Sequence, residues 1–245
     1  MPKLHRTVKN LFINGWAWLL DYVYVIFWQV HGIIRPLNPT QYLSKNTGGT
    51  EQQIPVVLLP GIYENWQFMK PLADMLYNQG YSVHVIPDIG RTTGRVEDLA
   101  AQVKKYLVEH RLTQCILVAH SKGGLIGKNV LIDPEAEKRV RGMIALNTPF
   151  SGSPYAHFIP VKSVRDFIPN SPTLATLAQN SLVNARIISI YGLFDPHIPK
   201  GSYLEGAENI QLAIRGHFRI LHNTKVHETV LAALQRFTPP HHTHI

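Results

Sequence analysis

The chain has 245 residues, enough for one domain with a sizeable core. Its formal net charge of +8 is spread along the sequence, with no dense basic run interleaved with aromatic residues, so nucleic acid is not expected as a partner. The single cysteine excludes an internal disulfide, and Cys115 lies in an apolar run typical of a buried strand.

The first predicted element is an apolar helix over residues 11–34. At helical rise this segment is about 36 Å long, enough to cross a bilayer. Asp21 lies near its middle, where a charge costs at least ~2.5 kcal/mol on membrane-insertion scales. The polar residues of the segment and its start fall in one stripe at about 100° per residue. They are Asn10, Asn14, Asp21, Tyr24 and His31.

Three interpretations of residues 11–34 stay open. The helix lies in a membrane interface, packs on the following domain, or spans the membrane with Lys3, Arg6 and Lys9 on the cytoplasmic side. No A-x-A site follows, so a cleaved signal peptide is not expected. We therefore predict a membrane surface as a partner and membrane association as the localisation, with a cytoplasmic protein as the alternative.

Strands and helices alternate after this segment. Residues 1–53 are predicted to form the N-terminal helix and a Pro- and Gly-rich linker, 54–237 the main domain, and 238–245 a disordered tail. Strands are predicted at 55–61, 81–86, 115–119, 140–146, 186–191 and 209–214. Helices are predicted at 68–78, 96–110, 125–132, 174–179 and 225–237. This alternation predicts an α/β fold with a mostly parallel sheet of about six strands and helices on both faces.

A serine stands at the apex of a sharp turn between the third strand and its helix. The turn reads Ala119-His120-Ser121-Lys122-Gly123. Such a turn holds the serine in a strained backbone conformation and exposes its hydroxyl at the top of the sheet. Ala119 stands where the G-x-S-x-G pattern has its first glycine. Taken alone, the pattern also fits a serine that caps the N-terminus of a helix. Residues elsewhere in the chain are needed to distinguish the two roles.

A nucleophilic serine needs a base within hydrogen-bond reach and a third group to orient that base. On a parallel α/β sheet the acid and then the histidine follow the serine along the chain. Asp195 follows the fifth strand, and His217 follows the sixth, where Gly216 permits a sharp turn. His197 and His222 are the rivals to His217, but His197 is too close to Asp195 in sequence to be oriented by it easily.

Five motifs together resemble the α/β-hydrolase superfamily, most closely its small lipases and esterases with little or no lid. They are P-G-I at 60–62, A-H-S-K-G-G at 119–124, N-T-P-F-S-G-S at 147–153, F-D-P-H-I-P at 194–199 and R-G-H-F-R-I-L at 215–221. The resemblance covers about residues 54–237. It implies hydrolysis of a small-molecule or lipid carboxylic ester by Ser121, Asp195 and His217 through an acyl-enzyme. It also implies no metal and no organic cofactor.

An oxyanion forms when the ester carbonyl is attacked, and fixed backbone N–H donors must already point at it. The amide of Lys122, directly after the serine, is one predicted donor. The amide of Ile62 is the other, with Tyr63 as the alternative. The chain departs from many lipases at Pro60, where they carry histidine before the glycine.

An acyl pocket is predicted beside the irregular segment at 150–172, which occupies the position where these enzymes insert a cap. Because this segment is short, we expect an open site. The predicted lining residues are Tyr63, Phe150, Tyr155, Phe158, Phe167 and Ile168. For each of these residues in the segment, ordinary packing of the loop on the core is the alternative. The side chain of Lys122 is expected to point to solvent, with an anionic head group near the cleft as the other possibility.

Two other functions are weighed beside ester hydrolysis. An acyltransferase uses the same acyl-enzyme with an alcohol, thiol or lipid acceptor in place of water. A non-catalytic membrane-tethered module keeps only the fold, and the intact serine, acid and histidine weigh against it. Haloalkane and epoxide chemistry needs a carboxylate nucleophile, so Ser121 argues against both. No sequence feature indicates an oligomeric state.

Overall fold

The computed structural model describes residues 2–43 and 54–237, with side chains from Phe12 onward except that of Lys162. The predicted tail at 238–245 and residues 44–53 of the predicted linker lie outside this range. Within the rest of that linker, a 3-10 turn at Pro39–Tyr42 contacts the domain, because Tyr42 is buried and its hydroxyl donates to Asp74 over 2.5 Å.

Six parallel strands form one sheet in the order β2-β1-β3-β4-β5-β6. The strands are β1 (Val56–Leu59), β2 (Val83–Val85), β3 (Cys115–His120), β4 (Val140–Leu146), β5 (Ile187–Phe194) and β6 (Glu208–Arg215). The strands β1 and β3 are buried along their whole length, as expected where helices cover both faces of a parallel sheet. The predicted α/β fold with a parallel sheet is confirmed.

Helices cover both faces of this sheet. They are α1 (Pro2–Ile34), α2 (Lys70–Asn78), α3 (Val96–Glu109), α4 (Lys122–Ile132), the short α5 (Pro134–Glu137), α6 (Pro172–Gln179) and α7 (Thr224–Phe237). One core contains residues of α3, α4 and α6 together with Val57 and Leu59 of β1. The opposite core contains residues of α1, α2 and α7 together with Val56 and Leu58. Successive side chains of a strand therefore point alternately into the two cores.

The helix α1 packs on the domain through its polar stripe. The Tyr24 hydroxyl donates to the carbonyl of Phe68 over 2.7 Å, and His31 Nδ1 lies 2.9 Å from the side-chain amide nitrogen of Gln67. Asp21 is fully buried. The opposite side of the helix exposes large apolar side chains: Phe12, Trp16, Trp18, Leu19, Val23, Ile26, Phe27, Val30, Ile33 and Ile34. This orientation is the reverse of an ordinary surface helix, which turns its apolar stripe to the core.

Candidate active site

Ser121 occupies the turn between β3 and α4. Its backbone has φ 50 and ψ −119, a strained conformation for a residue with a side chain. Its N–H donates to the carbonyl of Leu146 over 2.9 Å, which fixes the turn to β4. Gly123 is required here, because a Cβ at this position collides with the carbonyl oxygen of Leu59. The close passage of strand and helix thus holds the serine at the top of the sheet.

Ser121, Asp195 and His217 come together at the carboxyl ends of β3, β5 and β6. His217 Nε2 lies 3.0 Å from Ser121 Oγ, and His217 Nδ1 lies 2.6 Å from Asp195 Oδ2. The other carboxylate oxygen of Asp195 accepts the N–H groups of His197 at 2.8 Å and Ile198 at 3.1 Å. The carboxylate is therefore fixed by its own turn while it contacts the imidazole.

Burial and hydrogen bonding have opposing effects on the pKa values of Asp195 and His217. Burial lowers the pKa of His217, but the Asp195 carboxylate, with smaller contributions from Asp21 and Glu64, raises it above its ordinary value overall. Burial raises the pKa of Asp195, but His217 and the hydrogen bonds from the turn hold it below its ordinary value. The site thus pairs an ionised carboxylate with an imidazole that is more basic than a free histidine.

The rival histidines are placed differently. His197 Nε2 contacts the hydroxyl of Tyr22 at 3.1 Å, and its Nδ1 lies 4.0 Å from Asp195. Burial, with the neighbouring His217, lowers the pKa of His197 to about 4. His222 is exposed at the end of a 3-10 helix. Among the described histidines, His217 is the one that contacts the serine hydroxyl.

The turn after β1 presents the predicted Ile62 amide. The N–H of Gly61 donates to Glu64 over 2.6 Å, and the N–H of Tyr63 donates to the carbonyl of Arg91 over 2.8 Å. In the part of the chain that the structure describes, the Ile62 amide between them has no protein acceptor. The alternative donor, Tyr63, is therefore already engaged, and Ile62 is free to meet a ligand.

Lys122 begins α4, where backbone N–H groups lack acceptors within the helix. The prediction that its side chain points to solvent is wrong. The ammonium group is fully buried and donates to the carbonyls of Gly94 at 2.6 Å and Ser163 at 3.1 Å. It also lies 3.5 Å from the Asp166 carboxylate. A buried cation needs such partners. Here the contacts with Ser163 and Asp166 connect the segment at 162–167 to the serine turn.

A largely apolar cavity of about 340 Å³ opens at Ser121. Its walls come from the turn after β1, from the segment at 153–167 and from α1. The lining includes Val25, Gln29, Tyr63, Phe68, Tyr155, Ile159, Val161, Val164, Phe167 and Phe218. Tyr63, Tyr155 and Phe167 thus lie where the sequence predicts an acyl pocket.

Three of the predicted pocket residues do not line this cavity. Phe158 is 83% exposed, because it lies on the outer side of the 3-10 turn Pro154–Phe158. Phe150 and Ile168 pack against the core of α3, α4 and α6. Packing on the core is the alternative interpretation for both Phe150 and Ile168, and it is the observed outcome.

Several groups beside the site are not predicted from the sequence. Val25 and Gln29 of α1 lie in a segment outside every motif, so no pattern connects them with the cavity. Asn147 follows β4 and opens the motif at 147–153, but the motif does not predict its role, which is to donate to the carbonyls of Gly216 at 3.0 Å and His217 at 3.2 Å. Its position directly after a buried strand is the signal that identifies such a residue.

Glu64 and His120 form a buried pair next to His217. His120 Nε2 lies 2.9 Å from the carbonyl oxygen of His217, and His120 Nδ1 lies 2.7 Å from the Glu64 carboxylate. Asp195, His197 and His217 offer possible metal-ligand atoms within 4.8 Å of one another. Hydrogen bonds within the turn and to Ser121 account for the arrangement of Asp195 and His217, and the expectation of no metal and no cofactor stays a prediction.

An α/β hydrolase is the class of protein that this sheet and serine turn define. A family model described as serine aminopeptidase, S33, matches residues 50–197. The chain belongs to that family of α/β hydrolases. The matched range includes Ser121 and Asp195 and ends before His217. A search of curated protein sequences found no match.

Solved structures of lipases and esterases share the fold. The mature form of Bacillus licheniformis lipase BlEst2 has a TM-score of 0.61 at 17% identity, over 78% of this chain and 96% of that chain. Aspergillus fumigatus lipase B has a TM-score of 0.63 at 18% identity, over 79% of this chain and 55% of that chain. A Thermogutta terrifontis esterase has a TM-score of 0.53 at 16% identity, over 78% of this chain and 92% of that chain. Identities this low establish the fold alone.

Proposed function

We propose that the protein hydrolyses carboxylic esters with an apolar acyl group, using Ser121 as nucleophile, His217 as base and Asp195 as the orienting carboxylate. One observation carries the proposal. A single imidazole lies 3.0 Å from the serine hydroxyl through Nε2 and 2.6 Å from a carboxylate through Nδ1. This is the contact pattern that activates a serine hydroxyl for acyl transfer.

The reaction proceeds in two acyl-transfer steps. Ser121 Oγ attacks the ester carbonyl carbon while its proton moves to His217 Nε2, and the N–H groups of Ile62 and Lys122 donate to the oxyanion. His217 then gives this proton to the leaving alcohol, and an ester to Ser121 remains. Water attacks that ester, again losing its proton to His217. The proton returns to Ser121 Oγ as the free acid leaves.

The lining of the cavity favours an ester over a peptide substrate. An aminopeptidase site must hold the ammonium group of its substrate, which calls for a free carboxylate. Glu64 is the acidic residue among the described lining residues. It already accepts the N–H of Gly61 and lies 2.7 Å from His120. The remaining wall is mainly apolar and suits an acyl chain.

Parallel assays with two substrate series test the proposal. One series contains p-nitrophenyl esters from acetate to laurate, and the other contains aminoacyl p-nitroanilides. We expect turnover of the esters, with a maximum at an acyl chain longer than acetyl, and no turnover of the anilides. Turnover of the anilides alone contradicts the proposal. Product analysis with a competing alcohol separates hydrolysis from acyl transfer.

The rate is expected to depend on pH through His217. The imidazole must be neutral to accept the serine proton, and its pKa is raised above the ordinary 6.5. The value of kcat/KM should therefore fall as the pH drops through a midpoint above 6.5, and reach a plateau on the alkaline side. A pH profile from 5 to 9, roughly the range in which histidines titrate, checks this. A midpoint below the ordinary value contradicts the assignment of the base.

We further propose that α1 holds the enzyme at an anionic lipid surface. By length and composition, Phe12–Ile34 is apolar enough for a membrane anchor or signal sequence, a property that core helices share. Here its apolar side faces solvent, while Asp21, Tyr24 and His31 contact the domain. A spanning helix loses those contacts, so the proposal is an interfacial position. The net charge of +8 supports attraction to anionic lipids.

Vesicle binding tests the lipid contact. Ile26 and Phe27 are 61% and 56% exposed on α1. Replacing each with serine should weaken partition into phosphatidylserine vesicles by about 10-fold per substitution, because each buries apolar area in the lipid. Leu182→Ser is the matched control, since Leu182 is 92% exposed and lies away from α1. Equal binding by the wild type, the double variant and the control contradicts the proposal.

A further inference from the structure

The carboxylate of Asp21 contacts the turn that carries His217. One carboxylate oxygen accepts the backbone N–H of His217 over 2.6 Å. The other accepts the N–H groups of Phe218 at 2.9 Å and Arg219 at 2.8 Å. Asp21 has no exposed surface. A side chain from the N-terminal helix therefore holds three consecutive amides at the histidine.

These contacts explain why a charged residue lies in the middle of an apolar helix. A carboxylate buried without partners is strongly unfavourable, whereas hydrogen bonds from successive backbone amides satisfy it. Gly216 completes the fit with φ 114, because a Cβ at this position approaches Asp21 Oδ1 to 2.9 Å. The turn and the carboxylate are thus matched in shape and in charge.

We propose that Asp21 is a positioning residue for His217, and that α1 is in this way part of the active site as well as a lipid-facing helix. The inference rests on the proposed function, in which His217 is the base. Asn147 and His120 contact the carbonyl of His217, whereas Asp21 contacts its amide. The backbone of His217 is therefore held at both its carbonyl and its amide. Asp21, which holds the amide, lies outside residues 50–197 of the family match.

Asp21 also acts on the charge of the imidazole. The titratable groups around His217 are Asp195, Asp21, Glu64, His120 and His197. Asp195 makes the largest contribution that raises the pKa of His217, and the charge of Asp21 acts in the same direction. Removing the Asp21 charge should lower this pKa. A role in folding alone does not change it.

Asp21→Asn in the full chain separates positioning from packing. The amide keeps the size of the side chain but has one acceptor oxygen and presents donors to backbone donors. We expect kcat to fall on the order of 10- to 100-fold, with a smaller change in KM. We also expect the acid limb of kcat/KM to move to lower pH. His31→Ala is the control, because it removes a docking contact of α1 to Gln67 and should keep the wild-type kcat.

A folded Asp21→Asn variant with wild-type kcat and an unchanged acid limb overturns the inference. If the wild type itself does not turn over esters, the proposed function fails instead. Amide hydrogen exchange in the wild type tests the contact independently of activity and of the variant's folding. The amides of His217, Phe218 and Arg219 should be protected, and exchange as fast as in an exposed loop overturns the inference.

Discussion

Replacing Ser121 with alanine is expected to lower kcat for esters by about six orders of magnitude, as in serine hydrolases where a full triad acts as a unit. The substitution removes the attacking oxygen and its 3.0 Å contact with His217. The strained turn remains, because it is fixed by the Ser121 amide, which donates to the Leu146 carbonyl, and by the Gly123 contact with β1. The melting temperature should therefore change little.

Steady-state kinetics and thermal unfolding of purified Ser121→Ala check this result. Ser189→Ala is a matched control, because Ser189 is another buried serine and donates to the carbonyl of Ser202 over 2.7 Å. It should lose some stability, about 1 kcal/mol for one hydrogen bond, and keep its activity. Turnover by Ser121→Ala at the wild-type rate contradicts the mechanism.

Replacing Asp195 with asparagine is expected to lower kcat by about 10⁴-fold, the size of this change in other triads. The asparagine oxygen still accepts the amides of His197 and Ile198, so the turn keeps its shape. The other position then carries a donor, which favours the wrong tautomer of His217. Because Asp195 is the main cause of the raised pKa of His217, the residual activity should have its acid limb at lower pH.

The pH profile of Asp195→Asn measures both effects together. Asp88→Asn is the control, because Asp88 is an exposed carboxylate after β2 and its loss leaves the site unchanged. A variant of Asp195 with a wild-type rate assigns the orienting role to another group. A rate loss with an unmoved acid limb contradicts the electrostatic part of the account.

The central strands of the sheet are predictable from sequence because they are mainly apolar runs. The fourth strand is predicted at 140–146 and found at Val140–Leu146. In a parallel sheet the carboxyl ends of the strands lie at one edge, so residues that follow separate strands meet there. This rule is what brings Ser121, Asp195 and His217 into one candidate set from a linear sequence.

The surroundings of the site are less predictable, because they depend on segments far apart in the chain. The side chain of Lys122 reads as a surface cation until Ser163 and Asp166 fold over it. Phe158 and Phe150 are both apolar residues of one irregular segment, and only its turns decide that one is exposed and the other packs on the core.

The polar stripe of α1 is visible in the sequence, but its partner is not. Asp21 contacts backbone amides, and Tyr24 contacts the backbone carbonyl of Phe68. Main-chain groups are nearly the same for every residue type, so no side-chain pattern identifies the amides and the carbonyl that receive Asp21 and Tyr24. The structure is needed to connect the N-terminal helix with the turn of His217.

The imidazole of His217 is proposed to make the hydroxyl of Ser121 nucleophilic. This activation can be measured by mass spectrometry of peptides after reaction with a fluorophosphonate. We expect one adduct, on Ser121, formed rapidly in the wild type and much more slowly in His217→Ala. An active protein whose Ser121 stays unlabelled, or whose adduct lies on another residue, rules out Ser121 as the nucleophile.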